Sequence, residues 1–175
     1  MRVRIFVGDV LRVPADILVS TANPWLNLSG GVNGAIREAV GPELQTQLHS
    51  FLKVQGLAAV PAGTVVRSDP FSPPFKHILH AVAIDPFYDS SIELVRLTFA
   101  MAMDMAVELG ALTISSPSLA TGYGPMSISE FGTAIAPITE HPQLSQLTLT
   151  IVVRRVEDAS ALRDSLSDVG VQVSE

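Results

Sequence analysis

Residues 21–36 read TANPWLNLSGGVNGAI, and this stretch decides the fold. An apolar run, Ala15 to Ala22 (ADILVSTA), leads into it and reads as a strand buried on both faces of a sheet. A helix-like run, Val32 to Val40, follows it. Gly41-Pro42 then closes that helix and opens the next, since Gly suits the position after a helix and Pro the first helical turn. Strand, glycine-rich loop and helix is a unit that holds anions. The first N–H groups of a helix are unpaired, and its N-terminus carries partial positive charge.

The same design recurs downstream as LTISSPS, LATGYGP and SISEF over residues 112–131. In a parallel sheet both loops fall at the carboxyl ends of their strands, where open α/β sheets bind ligands. Each loop leads into a helix N-terminus, and glycine lets backbone amides approach a phosphate that a Cβ would keep away. The pair predicts a diphosphate clamp that needs no cationic side chain. The alternative is that these glycines only make tight turns.

Strands are also predicted over Val3–Val7, Gly63–Arg67, Lys76–Ala83, Leu112–Ser116, Leu147–Val153 and, briefly, Gly170–Val173. A Pro-rich loop, DPFSPPF, separates the third and fourth strands. Ser90 with Glu93, and Ser127 with Glu130, have capping-box spacing; the first box opens a long helix that stops near Gly110. A last helix spans Asp158–Ser167. This alternation predicts an α/β fold: a three-layer α/β/α sandwich around a mixed, largely parallel sheet.

The 175 residues favour one domain over 1–175, and 47% apolar residues suffice for a core. A formal charge of −6 argues against a broad basic face for nucleic acid. There is no cysteine, which excludes disulfides and thiolate metal sites and fits a reducing cytoplasm. No signal peptide and no membrane-length apolar run is read, so a cytoplasmic protein without a membrane partner is expected. There is no G-x-x-x-x-G-K-[ST], no intact G-x-G-x-x-G and no G-x-S-x-G, which argues against P-loop, dehydrogenase and nucleophile-elbow chemistry.

Four separated segments carry a resemblance. They are Gly8-Asp9 after the first strand, LVSTANPWLNLSGGV, HILHAV and PSLATGYG. In order and spacing they are similar to the macrodomain pattern of a strand followed by Asp, V-N-A-A-N-x-x-L-x-x-G-G-G-V, I-x-H and P-x-L-x-x-G-x-x-G. The resemblance covers essentially the whole chain and implies ADP-ribose, or an ADP-ribosylated substrate, as the ligand, with no cofactor and no metal. It implies that Asp9 reads adenine, although Asp9 alone would read as a turn or cap residue, and it counts Val10 among the ligand-binding residues. It places Asn23 beside the terminal ribose and gives the ribose and phosphate the amides of Gly30, Gly31 and Val32. Ala120, Thr121, Gly122, Tyr123 and Gly124 become the second phosphate loop, with Tyr123 either covering the terminal ribose or packing as an ordinary loop aromatic. Arg154 either stacks under adenine or is a plain surface arginine.

Departures from the pattern bear on catalysis. Ser20 stands for the first Asn, Ser29 for the first of three glycines, and the second loop is one residue shorter. Asn33 stands where the hydrolytic branch has Asp, and an amide cannot take a proton as a general base. Asn23 and Asn33 are thus candidate catalytic residues of an ADP-ribosyl or O-acetyl-ADP-ribose hydrolase only if the substrate's own phosphate activates a water. The alternatives are a non-catalytic reader and a degenerate domain acting as an interaction module.

The other candidates have structural readings. His77 and His80, three apart on a strand, face opposite sides of the sheet and cannot share a metal. Asp85 and Asp89 read as turn and cap residues and Asp104 as a surface residue, while Trp25 reads as a lid over the terminal ribose, a partner contact or, most simply, loop packing. Met101, Met103 and Met105 are expected on the apolar face of a helix.

Overall fold

The computed structural model describes residues 1–70, 74–168, 170 and 173–174. Among them a sheet of seven strands forms in the order β3-β4-β2-β5-β6-β1-β7. The strands are β1 (Arg2–Val7), β2 (Ile17–Thr21), β3 (Val65–Ser68), β4 (His77–Ala81), β5 (Thr113–Pro117), β6 (Thr148–Val153) and β7 (Val173–Ser174). All neighbours pair parallel except β3 with β4. The expected last strand at Gly170–Val173 lies partly outside the described residues, as does most of the Pro-rich loop.

Among the described residues five α-helices cover the sheet: α1 (Gly31–Val40), α2 (Pro42–Val54), α3 (Ile92–Glu108), α4 (Ile128–Thr139) and α5 (Val156–Ser167). Alternation along the strands assigns the faces. Ile17 and Val19 of β2 join the core shared with α3, α4 and α5, whereas Leu18 joins the core shared with α1 and α2. This is the expected three-layer α/β/α sandwich. In the thicker layer Phe99 of α3 meets Phe131 of α4 edge to face at 6.1 Å.

Three expectations need correction. The cap of α3 is Ser91, whose side chain accepts from the Leu94 amide; Ser90 instead donates to Ala83 O, and Glu93 pairs with Arg96. The spacing was satisfied by the wrong serine because adjacent serines offer two registers. Helix α5 starts two residues before Asp158, and the Arg155 side chain folds forward onto the Asp158 carboxylate. Met103 is buried as expected, but Met101 is 40% exposed, since residues two apart on a helix point in different directions.

Two polar devices fix the strands. At the entry to β2, Asp16 accepts from the amides of Leu112 and Thr113 and from the Thr113 hydroxyl, and pairs with Lys76 at 2.8 Å. Lys76 first, then the Leu112 amide, hold its carboxyl well below the usual range. One side chain therefore ties the starts of β2, β4 and β5.

The second device is His80 of β4, fully buried, with Nε2 2.8 Å from the hydroxyl of Ser68 on β3. Burial pushes its imidazole down to about 4. The folded value lies below the ordinary one of about 6.5, so the unfolded chain takes up the proton first. His80 thus adds stability that is fully present above pH ~6.5 and is lost as pH falls through about 4. Denaturant titrations should show wild-type stability falling across this window with a slope that includes up to about 1.4 kcal/mol per pH unit from His80. His80→Leu should be less stable at neutral pH by about 1–3 kcal/mol, for the orphaned Ser68 hydroxyl, and should lack that part of the slope. Equal slopes in the two proteins would contradict the assignment.

Candidate functional site

The ladder between β2 and β5 is only two residues long, Ile17 with Ile114 and Leu18 with Ser115. Beyond it β2 continues beside β4 to Thr21, while β5 continues beside β6 to Pro117. The divergence opens a cleft of about 760 Å³ at the carboxyl ends of the strands. A short 3₁₀ turn, Val10–Arg12, closes the floor, and the buried Ser115 hydroxyl points at Val10 O at 3.4 Å.

The first wall is the loop from Ala22 to Gly30. It is held from within by Asn23, whose Nδ2 donates to Asn27 O at 2.9 Å and whose Oδ1 accepts from the Asn27 amide at 3.1 Å. Helix α2 holds it from behind. The Gln45 amide donates to Leu26 O and accepts from the Leu28 amide, and His49 meets the Asn27 side chain at 2.9 Å. Leu26 and Leu28 are buried under it, while Trp25 lies at the 36% exposed edge. Asn23 lines the cleft, yet the loop engages both ends of its amide.

Gly30 and Gly31 both take left-handed φ, 64° and 52°, and lead straight into α1. No side chain caps this helix, so the amides of Gly31, Val32 and Asn33 end it without a capping oxygen. Asn33 is buried in the first turn, and its Oδ1 lies 2.8 Å from the hydroxyl of Ser20, itself fully buried on β2. Ser20 therefore holds Asn33 from behind the cleft.

The second wall, Pro117 to Gly124, is built differently. Leu119 is buried, Ala120 takes a left-handed φ of 59°, and Ser118 and Thr121 join hydroxyls at 2.6 Å. Here the helix N-terminus carries the capping box that the Ser127–Glu130 spacing predicts. Ser127 and Glu130 complete a reciprocal capping box on α4, with the Glu130 carboxylate accepting from the Ser127 amide. That bond, with the Ser127 hydroxyl, keeps the Glu130 carboxyl below its ordinary range. The first turn of α4 does not line the cleft, so an anion held on this side meets the amides of the loop itself.

The two walls meet at Tyr123. Its ring reaches across so closely that a Cβ on Gly30 would collide with the Tyr123 hydroxyl. Tyr88, from the loop after β4, also lines the cleft and packs on Tyr123 edge to face at 6.4 Å.

At the opposite end, Gly8 and Val10 face Arg154 and Arg155 after β6. Asp9 stands beside this end, capping the 3₁₀ turn through the Leu11 amide at 3.1 Å, with Arg154 3.7 Å from the same oxygen. Arg155 is committed to Asp158 at 2.7 Å.

The cleft thus brings together Val10, Asn23, Gly30, Gly31, Val32, Asn33, Ala120 to Gly124 and Arg154, with Asp9 at its margin. Sequence reasoning missed Gln45 and His49, which carry no local signal for contacts with a loop so far back in the chain. It noticed the aspartates around Tyr88 but not the aromatic between them.

A family model described as Macro domain matches residues 19–133. A Methanosarcina mazei protein named Macro domain-containing protein is 28% identical over 175 aligned residues, spanning 96% of this chain and 89% of its own. A Citrobacter rodentium protein named O-acetyl-ADP-ribose deacetylase is 30% identical, over 79% of each chain. The solved Oceanobacillus iheyensis macrodomain with ADP superposes with a TM-score of 0.84 at 27% identity, covering 94% of this chain and 90% of its own. A mutant of the same macrodomain with ADPR gives 0.83 at 26% identity, over 94% and 91%.

The second wall depends on Gly124. A Cβ there would lie 2.5 Å from Ala120 O and 3.0 Å from Ala120 Cα, and both are backbone atoms with no rotamer to yield. Gly124→Ala should therefore destabilise the protein by about 1–3 kcal/mol and accelerate amide exchange over residues 118–126, leaving the strands protected. Unchanged exchange in that loop would contradict the tight approach.

Proposed function

The chain belongs to the macrodomain family, and on that premise we propose that it binds ADP-ribose, free or attached to a macromolecule, in the cleft between the two loops. The observation that carries the reading is the uncapped N-terminus of α1 behind Gly30-Gly31, facing a second amide-rich loop across the opening of the sheet. The first-turn amides of α1 receive one phosphate and the loop amides of Ala120 to Gly124 the other, so an acidic chain needs no lysine there. Asp9, Val10 and Arg154 take the adenine end, where the Asp9 carboxylate accepts from the 6-amino group. Asn23 and Asn33 stand at the terminal ribose. The reading treats residues 1–175 as one domain in a cytoplasmic setting, with which the cysteine-free composition is consistent.

Within this reading we favour binding over turnover. The relative named O-acetyl-ADP-ribose deacetylase keeps hydrolysis in view. A general base, however, must accept a proton near neutral pH, and Asn33 is an amide whose oxygen already faces a hydroxyl. Among the described residues lining the cleft, the one carboxylate is Asp158, which is paired with Arg155. No histidine or lysine lines it.

Calorimetric titration should show ADP-ribose binding in preference to AMP. Asp9→Ala should weaken both by about tenfold, the worth of a hydrogen bond to a charged group, while leaving ribose 5-phosphate unchanged. Equal loss for ribose 5-phosphate would remove Asp9 from the adenine site. Incubation with ADP-ribosylated protein should leave the modification in place over many binding lifetimes. Release that disappears in Asn33→Ala would establish an enzyme instead.

A further inference from the structure

Tyr88 has a backbone conformation that its side chain does not favour. Its φ is +66°, a region that bulky residues rarely enter, yet the residue is 42% exposed and so is not forced there by a core. The turn around it supplies the constraint. One oxygen of Asp85 accepts from the amides of both Phe87 and Asp89, at 2.8 and 2.9 Å. The Asp85 amide donates to Asp89 O at 2.9 Å, and the Tyr88 amide returns to Asp85 O at 3.0 Å. Four hydrogen bonds within five residues fix a small closed loop with Tyr88 directed at the cleft. Backbone strain held this firmly at the edge of a site points to a function for the side chain it presents.

That side chain meets Tyr123 edge to face, and Tyr123 in turn stands over Gly30. Tyr123 is 73% exposed and follows Gly122, and among the described residues Tyr88 is its aromatic partner.

We propose that Tyr88 is a positioning residue that sets ligand selectivity: by holding the Tyr123 ring over Gly30, it makes the cleft prefer nucleotides that carry a sugar beyond the second phosphate to nucleoside diphosphates that end there. The inference rests on the ADP-ribose reading above and adds to it the device that separates ADP-ribose from ADP. The ring contact, not the Tyr88 hydroxyl, does the work, since the hydroxyl has no hydrogen-bond partner among the described residues, whereas the ring has Tyr123. Asp85 acts one step further back by keeping Tyr88 in its left-handed conformation.

The test is a calorimetric series with ADP-ribose and ADP on the wild type, Tyr88→Ala, Tyr88→Phe, Asp85→Ala, Tyr123→Ala and the double variant Tyr88→Ala/Tyr123→Ala. Tyr88→Ala should lose about five- to tenfold in ADP-ribose affinity and less than twofold in ADP affinity, in line with an aromatic pair. Tyr88→Phe should restore the wild-type preference, and Asp85→Ala should reproduce part of the loss. In the Tyr123→Ala background, removal of Tyr88 should cost nothing further. Equal loss for both ligands in Tyr88→Ala, or additive losses in the double variant, would overturn the proposal. So would an unchanged preference in Tyr88→Ala. A wild-type protein that binds neither nucleotide would instead overturn the ADP-ribose reading itself.

Discussion

The site depends on one constraint, the shortness of the ladder between β2 and β5. These strands are joined at Ile17-Leu18 and Ile114-Ser115 and nowhere beyond. Below the junction Asp16 ties the starts of β2, β4 and β5 together, so the strands cannot separate from that end. Above it each strand follows a different neighbour, and the right-handed twist of the sheet carries their ends apart. A longer ladder would seal the cleft, and a looser base would let the two halves slide. The pin at one end and the divergence at the other turn a continuous sheet into one with a ligand-sized opening between two loops.

The loops on either side are not copies of each other. The first is braced by α2 through Gln45 and His49 and leaves the N-terminus of α1 open. The second is self-contained and ends in a helix capped by Ser127 and Glu130, outside the cleft lining. Of the two helices that follow these loops, α1 is the one whose first turn lines the cleft. The three non-glycine residues with left-handed φ among those described, Leu26, Tyr88 and Ala120, belong to three loops around the same opening. Burial of Leu26 and Ala120 and the hydrogen-bonded turn around Tyr88 offset the cost of each, about 1–3 kcal/mol. The strain is concentrated where ligand contact is expected and is absent from the strands.

Most of the fold was legible in the sequence because its signals are local. ILVSTA and TISSP are short apolar runs between turn residues, and Ser127 with Glu130 forms the capping box that its spacing announced. In the candidate site the sequence marks a backbone requirement at Gly30-Gly31, which take positive φ, and at Gly124, where a Cβ has no room. What escaped is relational. Spacing could not choose between Ser90 and Ser91 as the cap of α3, since only the packing of Ser90 on Ala83 O decides it. Nor could it reveal that Ser20, read as a departure from the family pattern, is matched to Asn33. The Ser20 hydroxyl donates to the Asn33 side-chain oxygen at 2.8 Å, so two positions that depart from the pattern are in contact in the fold.

The most direct test of this account is a titration of ¹⁵N-labelled protein with ADP-ribose, followed by amide chemical shifts. If the diphosphate is held between the open end of α1 and the second loop, the largest changes will fall on the amides of Gly31, Val32 and Asn33 and of residues 120–124. The first turn of α4, which does not line the cleft, will then stay still. Shifts confined to the first turn of α4 or to the outer faces of the helices, with residues 31–33 unmoved, would contradict the claim that the opening between β2 and β5 is the binding site.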